Sequence, residues 1–376
     1  MEVHCADSFS DGALQEAWSQ ILCRTSGANP QITHEWLSTC WEAFGDRRRL
    51  SLITVTDGGR IKGIAPLAVV PVSGKAGIRL NKLTFVGDGL TDYQDLLASD
   101  EAREQVLRTL LRFVIDGNDG WDAIHFRNIR GDSPNLPILR DILKGTSLPF
   151  VERVNIQSPY ISIDRNWADY YGSLGQNVRS DVRRRANGLA RLGKAEFVRL
   201  HEVNDVDDTL KTIRSIHVKC REALGGTSWY ADDRRFRFAS LILKRFGDRK
   251  WLDVVFLKLE GKVIAYYLGF AYGNVVYFWN TGYDPEFSRV SPGKLLLHYW
   301  IKDSFAAGCR EFDFMVGEEP YKLQWTNTIR PNHELFVFKH TARSRLLKCY
   351  YVAKPILKRN RYLMKIGAGI RSSMKE

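Results

Sequence analysis

The chain has 376 residues and a formal net charge of +12, with 44% hydrophobic and 12% aromatic residues. That length suits two domains rather than one, and the apolar content excludes wholesale disorder. Six scattered cysteines without a C-x-x-C pair argue against zinc or a disulfide framework and fit a reducing cytoplasm, so no metal is expected.

Two further exclusions follow. No run reaches the roughly 20 apolar residues that a membrane-crossing helix requires. The opening residues lack the basic and apolar regions of a secretory leader, so none is expected. The charge is unevenly placed. Residues 339–376 hold 11 Lys/Arg and one acidic residue, which leaves the rest of the chain near +2.

In chain order, residues 32–45 read as a helix with Trp36, Leu37, Cys40, Trp41 and Phe44 on one side. Residues 50–72 read as a hairpin turning at Asp57-Gly58-Gly59. A strand and loop follow at 82–98, then a helix at 104–117, a strand at 121–129, a short helix at 134–145 and a closing strand at 158–163. Asp92, Tyr93 and Asp95 fall in the loop. They suit either a groove lining or a solvated polar turn.

Two helices are expected at 167–174 and 177–192. The second carries Arg179, Arg183, Arg184, Arg185 and Arg191, with Arg179 and Arg183 on one face. It reads either as a solvated basic face or as a set of guanidinium groups facing an anionic acceptor. Residues 195–203 begin a new strand. Helices at 205–221 and 231–246 follow, separated by Gly225-Gly226-Thr227.

Next come three strand-like runs, 252–260, 263–272 and 275–284. Gly261-Lys262 and Gly273-Asn274 separate them, and Pro285 ends the last. Ser291-Pro292-Gly293-Lys294 precedes a helical run at 295–308. Ser291 suits an N-cap, Pro292 the first helical position, and Gly293 close approach of a ligand. Free N–H groups there, with Arg289 and Lys294 alongside, make an anion site suited to a diphosphate. Residues 310–317 read as a strand, and 318–325 as a turn into a further helix.

The stretch 251–325 resembles the core of GNAT acyl-CoA N-acyltransferases, and more narrowly the CelD/BcsL group of cellulose and exopolysaccharide biosynthesis. The matching residues are Tyr283, Ser291-Pro292-Gly293 with Leu296, Phe312-Asp313-Phe314, and Gly317-Glu318-Glu319-Pro320-Tyr321-Lys322 with Trp325. The usual GNAT phosphate loop, Q/R-x-x-G-x-G/A, is reduced here to one arginine and one glycine. The first half repeats the pattern hairpin, strand, helix, strand without that loop. The chain is therefore read as α/β (α+β), a tandem of GNAT-like units, each a mostly antiparallel mixed sheet flanked by helices. The units are placed at 1–160 and 195–338, joined by a basic connector at 161–194 and followed by a basic amphipathic tail at 339–376. The layout is similar to that of FemABX peptidyl transferases.

The resemblance implies acetyl-CoA or another acyl-CoA as co-substrate, with Trp279, Asn280 and Thr281 beside the thioester and Tyr321 as the acid. Glu319 is a candidate base. Asp313, opposite two flanking phenylalanines, is either a base in the cleft or half of an ion pair, with Lys322 as the suggested partner. Lys322 either binds a phosphate or holds Glu319. Arg179, Arg183 and Asp92 are acceptor-binding candidates, and His298 reads as a packed histidine. The implied activity is acyl transfer to an amino or hydroxyl group of a sugar or sugar-lipid in cell-surface polysaccharide assembly. Two alternatives stand beside it: an aminoacyl-tRNA-dependent transfer to a peptidoglycan precursor, and an inactive scaffold of a polysaccharide synthase. The expected setting is cytoplasmic, with the tail touching an anionic inner-membrane surface. No nucleic-acid partner is expected beyond tRNA in the first alternative.

Overall fold

The computed structural model describes residues 1–73, 79–117, 120–201, 205–349 and 351. The first half opens with β1 (Glu2–Ala6), α1 (Gly12–Leu22) and α2 (His34–Phe44). A hairpin of β2 (Arg49–Asp57) and β3 (Arg60–Ser73) follows. Its tip is Gly58-Gly59, with φ of 55° and 74°, the left-handed pair that a tight hairpin turn needs. β4 (Arg79–Phe85) pairs with β3, and the short β5 (Leu97–Ala98) also joins β3. α3 (Arg103–Asp116) crosses over, so that β6 (Ala123–Arg130) runs parallel to β4. α4 (Asn135–Lys144) and β7 (Phe150–Ser162) complete this half.

The connector forms α5 (Trp167–Ser173) and α6 (Gln176–Ala190). The second half repeats the plan. β8 (Ala195–Leu200) leads to α7 (Val206–Ala223) and α8 (Asp233–Asp248). β9 (Leu252–Leu259), β10 (Lys262–Tyr272) and β11 (Val275–Tyr283) form a meander whose turns are Glu260-Gly261 and Gly273-Asn274, all at positive φ. α9 (Pro292–Ala306) then crosses over, so that β12 (Glu311–Asp313) lies parallel to β11.

The last strand, β13 (Ile329–Phe338), lies in the first half's sheet. The order across the joined sheet is β1-β2-β3-β4-β6-β13-β7-β12-β11-β10-β9-β8. β13 pairs with β6 and with most of β7, while the end of β7, Tyr160 to Ser162, pairs with β12. Each half thus gives its final strand to the other. A shared aromatic core reinforces this exchange. Trp36 of α2 packs within 5.3–5.9 Å of the rings of Phe238, Phe246, Phe270 and Trp279, all from the second half.

Three expectations are corrected. The strand at 310–317 shortens to Glu311–Asp313, because Met315 (φ 57°) and Gly317 (φ 106°) turn the chain away. Residues 320–325 form turns instead of a further helix. β13 and β1 were not anticipated. At the start of the tail, residues 342–349 are helical, and Leu347 packs with Leu80, Phe336 and Phe338. Residues 350 and 352–376 lie outside the described residues, and most of the expected membrane-contacting segment falls there. No helix among the described residues is long and apolar enough to cross a membrane.

The seam between the halves carries a charge network. Asp313 is fully buried. One of its oxygens accepts the Tyr93 hydroxyl and the Met315 N–H, each at 2.7 Å, and the other accepts Arg330 at 3.1 Å. Arg330 also pairs with Glu311 at 2.9 Å and Asp132 at 2.7 Å, and its guanidinium lies 4.1 Å from the centre of the Tyr160 ring. Asp313 therefore has an arginine partner from β13, not Lys322 as anticipated. Removing one member of such a set strands the others in a poor solvent. Arg330→Met is expected to lower stability by about 3–5 kcal/mol, read from the urea midpoint. A loss below about 1 kcal/mol, the range of an exposed pair, would contradict this account of the seam.

Candidate active site

The site grows from a fork in the sheet. β11 and β12 pair at three positions only, Val275↔Glu311, Val276↔Phe312 and Tyr277↔Asp313. Past Asp313 the chain follows β7, with Phe314 donating its N–H to the Pro159 carbonyl at 3.0 Å. β11 runs on to Tyr283 with β10 on one side and, among the described residues, no strand on the other. A backbone edge is thereby left facing the fork.

The side chains of the three β11 candidates are engaged within the fold. The β10–β11 register slips between Leu268 and Gly269, which makes Trp279 an extra, bulged residue. Gly269 permits this slip, since a Cβ there would meet the Tyr277 carbonyl at 2.3 Å and the Trp300 ring at 2.5 Å. The Trp279 ring enters the aromatic core beside Trp36 and Trp229. Asn280 accepts the Tyr266 hydroxyl at 2.5 Å, and Thr281 donates to the Tyr266 carbonyl at 3.1 Å. These side chains fix the strand's shape, so any contact with a thioester falls to the β11 backbone.

The loop before α9 also differs in detail. Residues Pro285–Val290 form a 3-10 turn capped by Asp284, which Lys262 holds at 3.0 Å. Ser291 takes a left-handed conformation (φ 49°, ψ 61°), and no side chain caps α9. The expected Ser291 cap is therefore absent, and the N–H groups of Gly293 and Lys294 keep their positive ends for another acceptor. Gly293 is not tightly packed, because a Cβ there would make only ordinary van der Waals contacts, at 3.9 Å, with Tyr267 and Tyr283. Pro292 is buried at the first helical position, as its fixed φ favours.

Helix α6 lies across this loop. Lys294 donates to Asp181 at 2.7 Å, and Arg185 donates to the Arg289 carbonyl. Lys294 and Arg184 hold Asp181 well below the usual carboxylate range. Arg183, Arg184, Arg185, Arg191 and Arg289 line a groove of about 520 Å³ at this crossing. Among the described residues no carboxylate pairs with Arg183, Arg191 or Arg289. Arg179 does not line the groove. It acts with Arg183 on the Tyr171 hydroxyl, and its buried Nε has no partner among the described residues.

The remaining candidates gather at the inner end of the fork. Tyr321 is half-buried, with its ring 6.4 Å from that of Phe278. Burial and then neighbouring Tyr267 push its hydroxyl well above the normal tyrosine range. Tyr267 in turn donates to the Gly293 carbonyl at 3.1 Å, in the loop before α9. Lys322 is buried. It bonds the Val316 carbonyl at 2.9 Å and pairs with exposed Glu319 at 2.8 Å, so it holds the 316–319 turn.

Asp92 arrives from the first half. Burial pushes its carboxyl up to about 7, Lys322 opposes that rise, and Asp313 and Glu319 add to it. Its charged surroundings therefore come from the second half of the chain. Asp313 sits behind this group with its oxygens engaged by Tyr93, Met315 and Arg330, which leaves it a structural carboxylate instead of a cleft base. His298 packs among Trp167, Tyr171 and Trp325, and burial lowers its pKa to about 4. Sequence reasoning missed Tyr267, which no local motif marks.

The arrangement holds a possible proton acceptor (Asp92), a protonated hydroxyl (Tyr321), a fixed cation (Lys322) and an open helix start (Gly293). Comparison with known proteins bears on the fold. The crystal structure of FemX shares the fold at a TM-score of 0.64, with 14% identity, covering 92% of this chain and 99% of that one. The structure of L-PGS from Bacillus licheniformis shares it at 0.57, with 12% identity over 94% and 98%. A conserved protein of unknown function from Bacteroides thetaiotaomicron shares it at 0.55, with 11% identity over 90% and 100%. No curated protein matches the chain. Residues 176–323, the stretch that holds α6, the fork, the start of α9 and Tyr321–Lys322, match the acetyltransferase (GNAT) domain.

Proposed function

We propose that the protein transfers an acyl group from acyl-CoA to an amino or hydroxyl group of a sugar or sugar-lipid in cell-surface polysaccharide assembly. The observation that carries this reading is the unpaired edge of β11 at the fork, with the uncapped start of α9, whose Gly293 carbonyl accepts the Tyr267 hydroxyl, and with the Tyr321 ring against Phe278 of β11. The N–H groups of Gly293 and Lys294 and the guanidinium of Arg289 are the groups that would hold the donor's diphosphate. The free β11 backbone would align the pantetheine arm. The donor brings the thioester whose C–S bond breaks. Asp92 takes the acceptor's proton as the new C–N or C–O bond forms, and Tyr321, kept protonated by burial, gives a proton to the departing thiolate. Lys322 fixes the 316–319 turn and restrains the pKa of Asp92.

A second reading has one observation in its favour. The arginine groove at α6 is larger than a single diphosphate needs, which suits an aminoacyl-tRNA donor. Calorimetric titration with acetyl-CoA and, separately, with aminoacyl-tRNA distinguishes the two. Binding of neither would favour an inactive scaffold.

A Cβ at position 293 meets only ordinary van der Waals contacts, so in Gly293→Glu the fold is expected to survive while acetyl-CoA affinity falls by at least about 100-fold, equivalent to roughly 2.7 kcal/mol. Unchanged affinity would contradict the assigned loop. The carboxyl of Asp92 becomes a base only above its pKa of about 7. The single-turnover rate should therefore rise between pH 6 and 8 and level above. Asp92→Asn should remove that limb and lower the rate by about 10²–10⁴-fold. A pH profile unchanged by the substitution would rule out Asp92 as the base.

A further inference from the structure

Gln31 is fully buried in the 3-10 turn Pro30–Ile32. This turn is stiffly held. The Asn29 side chain accepts the Gln31 N–H at 3.0 Å, and the Trp18 indole donates to the Ile32 carbonyl at 2.9 Å. From there the Gln31 side chain reaches across to the loop that carries Asp92. Its Oε1 accepts the backbone N–H of Asp92 and of Tyr93, each at 2.9 Å. Two N–H donors converging on one atom identify that atom as oxygen, so the amide has one orientation. Its Nε2 is buried with no partner among the described residues.

The neighbours of Asp92 have other anchors. Thr91 receives the Trp36 indole at 2.9 Å on its hydroxyl and the Asn128 amide at 3.0 Å on its carbonyl. Tyr93 is tied through its hydroxyl to Asp313, and the Gln94 N–H goes to the Asn128 carbonyl at 3.1 Å. None of these bonds reaches Asp92 itself. The bond from Gln31 does. A residue kept at position 31 for packing alone would be apolar and leave no orphan donor, but it would strand two buried backbone N–H groups.

We propose that Gln31 is a positioning residue: by accepting the Asp92 and Tyr93 N–H groups together, it holds the Asp92 carboxyl toward Lys322 and Glu319. This rests on the assignment of Asp92 as proton acceptor. The charged groups acting on that carboxyl are Lys322, Asp313 and Glu319, all from the second half. Gln31 reaches the same place from the first half, as an uncharged group whose effect is on direction and on access of water.

The test is a carbon-13 carboxyl NMR titration of the full chain, with the Asp92 resonance identified by its loss in Asp92→Asn. Gln31→Glu keeps both accepted bonds and sets a second carboxylate beside Asp92, so the Asp92 midpoint should move up by about one pH unit or more. Gln31→Met keeps the length of the side chain but frees the loop, so the midpoint should fall toward the ordinary carboxylate value of about 4. A thermal melt by circular dichroism establishes that each variant is folded, and Gln31→Leu, which also removes both accepted bonds, serves if Gln31→Met does not fold. A midpoint unmoved in whichever of these two folds overturns the proposal, and Gln31→Glu serves as the control in which both bonds are kept. A wild-type midpoint near 4 would remove Asp92 as the base, whereas shifts in the variants would still support Gln31's hold on it.

Discussion

The exchange of final strands is the constraint on which the site depends. β7 leaves the first half to pair with β12, and β13 leaves the second half to pair with β6. A strand placed between two partners has both backbone edges satisfied, so neither half can withdraw without exposing a row of unpaired N–H and C=O groups. The network of buried Asp313, Arg330 and Tyr93 with partly buried Glu311 and exposed Asp132 sits at this exchange and draws members from both halves. Buried charges tolerate little misplacement. The exchange thus fixes the first half's loop against the second half's fork, and Asp92 comes under the charges of Lys322 and Glu319 as a consequence.

The two halves use one plan for different ends. In each, a central strand is followed by a crossover helix and a parallel strand: β4, α3 and β6 in the first, β11, α9 and β12 in the second. The segment before the crossover helix is where they diverge. In the second half it is the short Ser291-Pro292-Gly293 turn, with an open helix start. In the first half it is the longer run containing Thr91–Asp95, pinned by Gln31, Trp36, Asn128, Ser133 and Asn135. One half presents a place for an anion; the other presents a carboxylate. Helix α6 adds a third feature, since Asp181 already engages Lys294 and any ligand at α9 enters beside that pair.

Much of the fold was legible because its signals are local. The Gly261 and Gly273-Asn274 turns and the alternation of β9 to β11 announce a meander, and the apolar spacing after Pro292 announces α9. β13 was hidden by its composition. Arg330, Pro331, Asn332 and His333 look unlike an interior strand, but Arg330 is neutralised by three carboxylates and Asn332 bonds Ser158 at 2.7 Å. The partners come from distant parts of the chain, so no window of sequence shows them. Trp279 was placed on the right strand, but the bulge that sends its ring into the aromatic core comes from a register slip that no local pattern marks. Asp313 was read as either a cleft base or half of an ion pair; it forms the ion pair, but with Arg330, 17 residues away, and with Tyr93, 220 residues away, enclosing it as well. Tyr321 and Lys322 stood out through a motif, whereas the link from Asp92 to Lys322 exists only in three dimensions.

The central claim is that both halves converge on one donor bound at the fork. A crystal structure of the full chain grown with a non-hydrolysable acyl-CoA analogue tests it most directly. The account predicts diphosphate density on the N–H groups of Gly293 and Lys294, with the acyl end between Tyr321 and Asp92. Ordered density for the analogue elsewhere on the surface, with the β11 edge untouched, would contradict it.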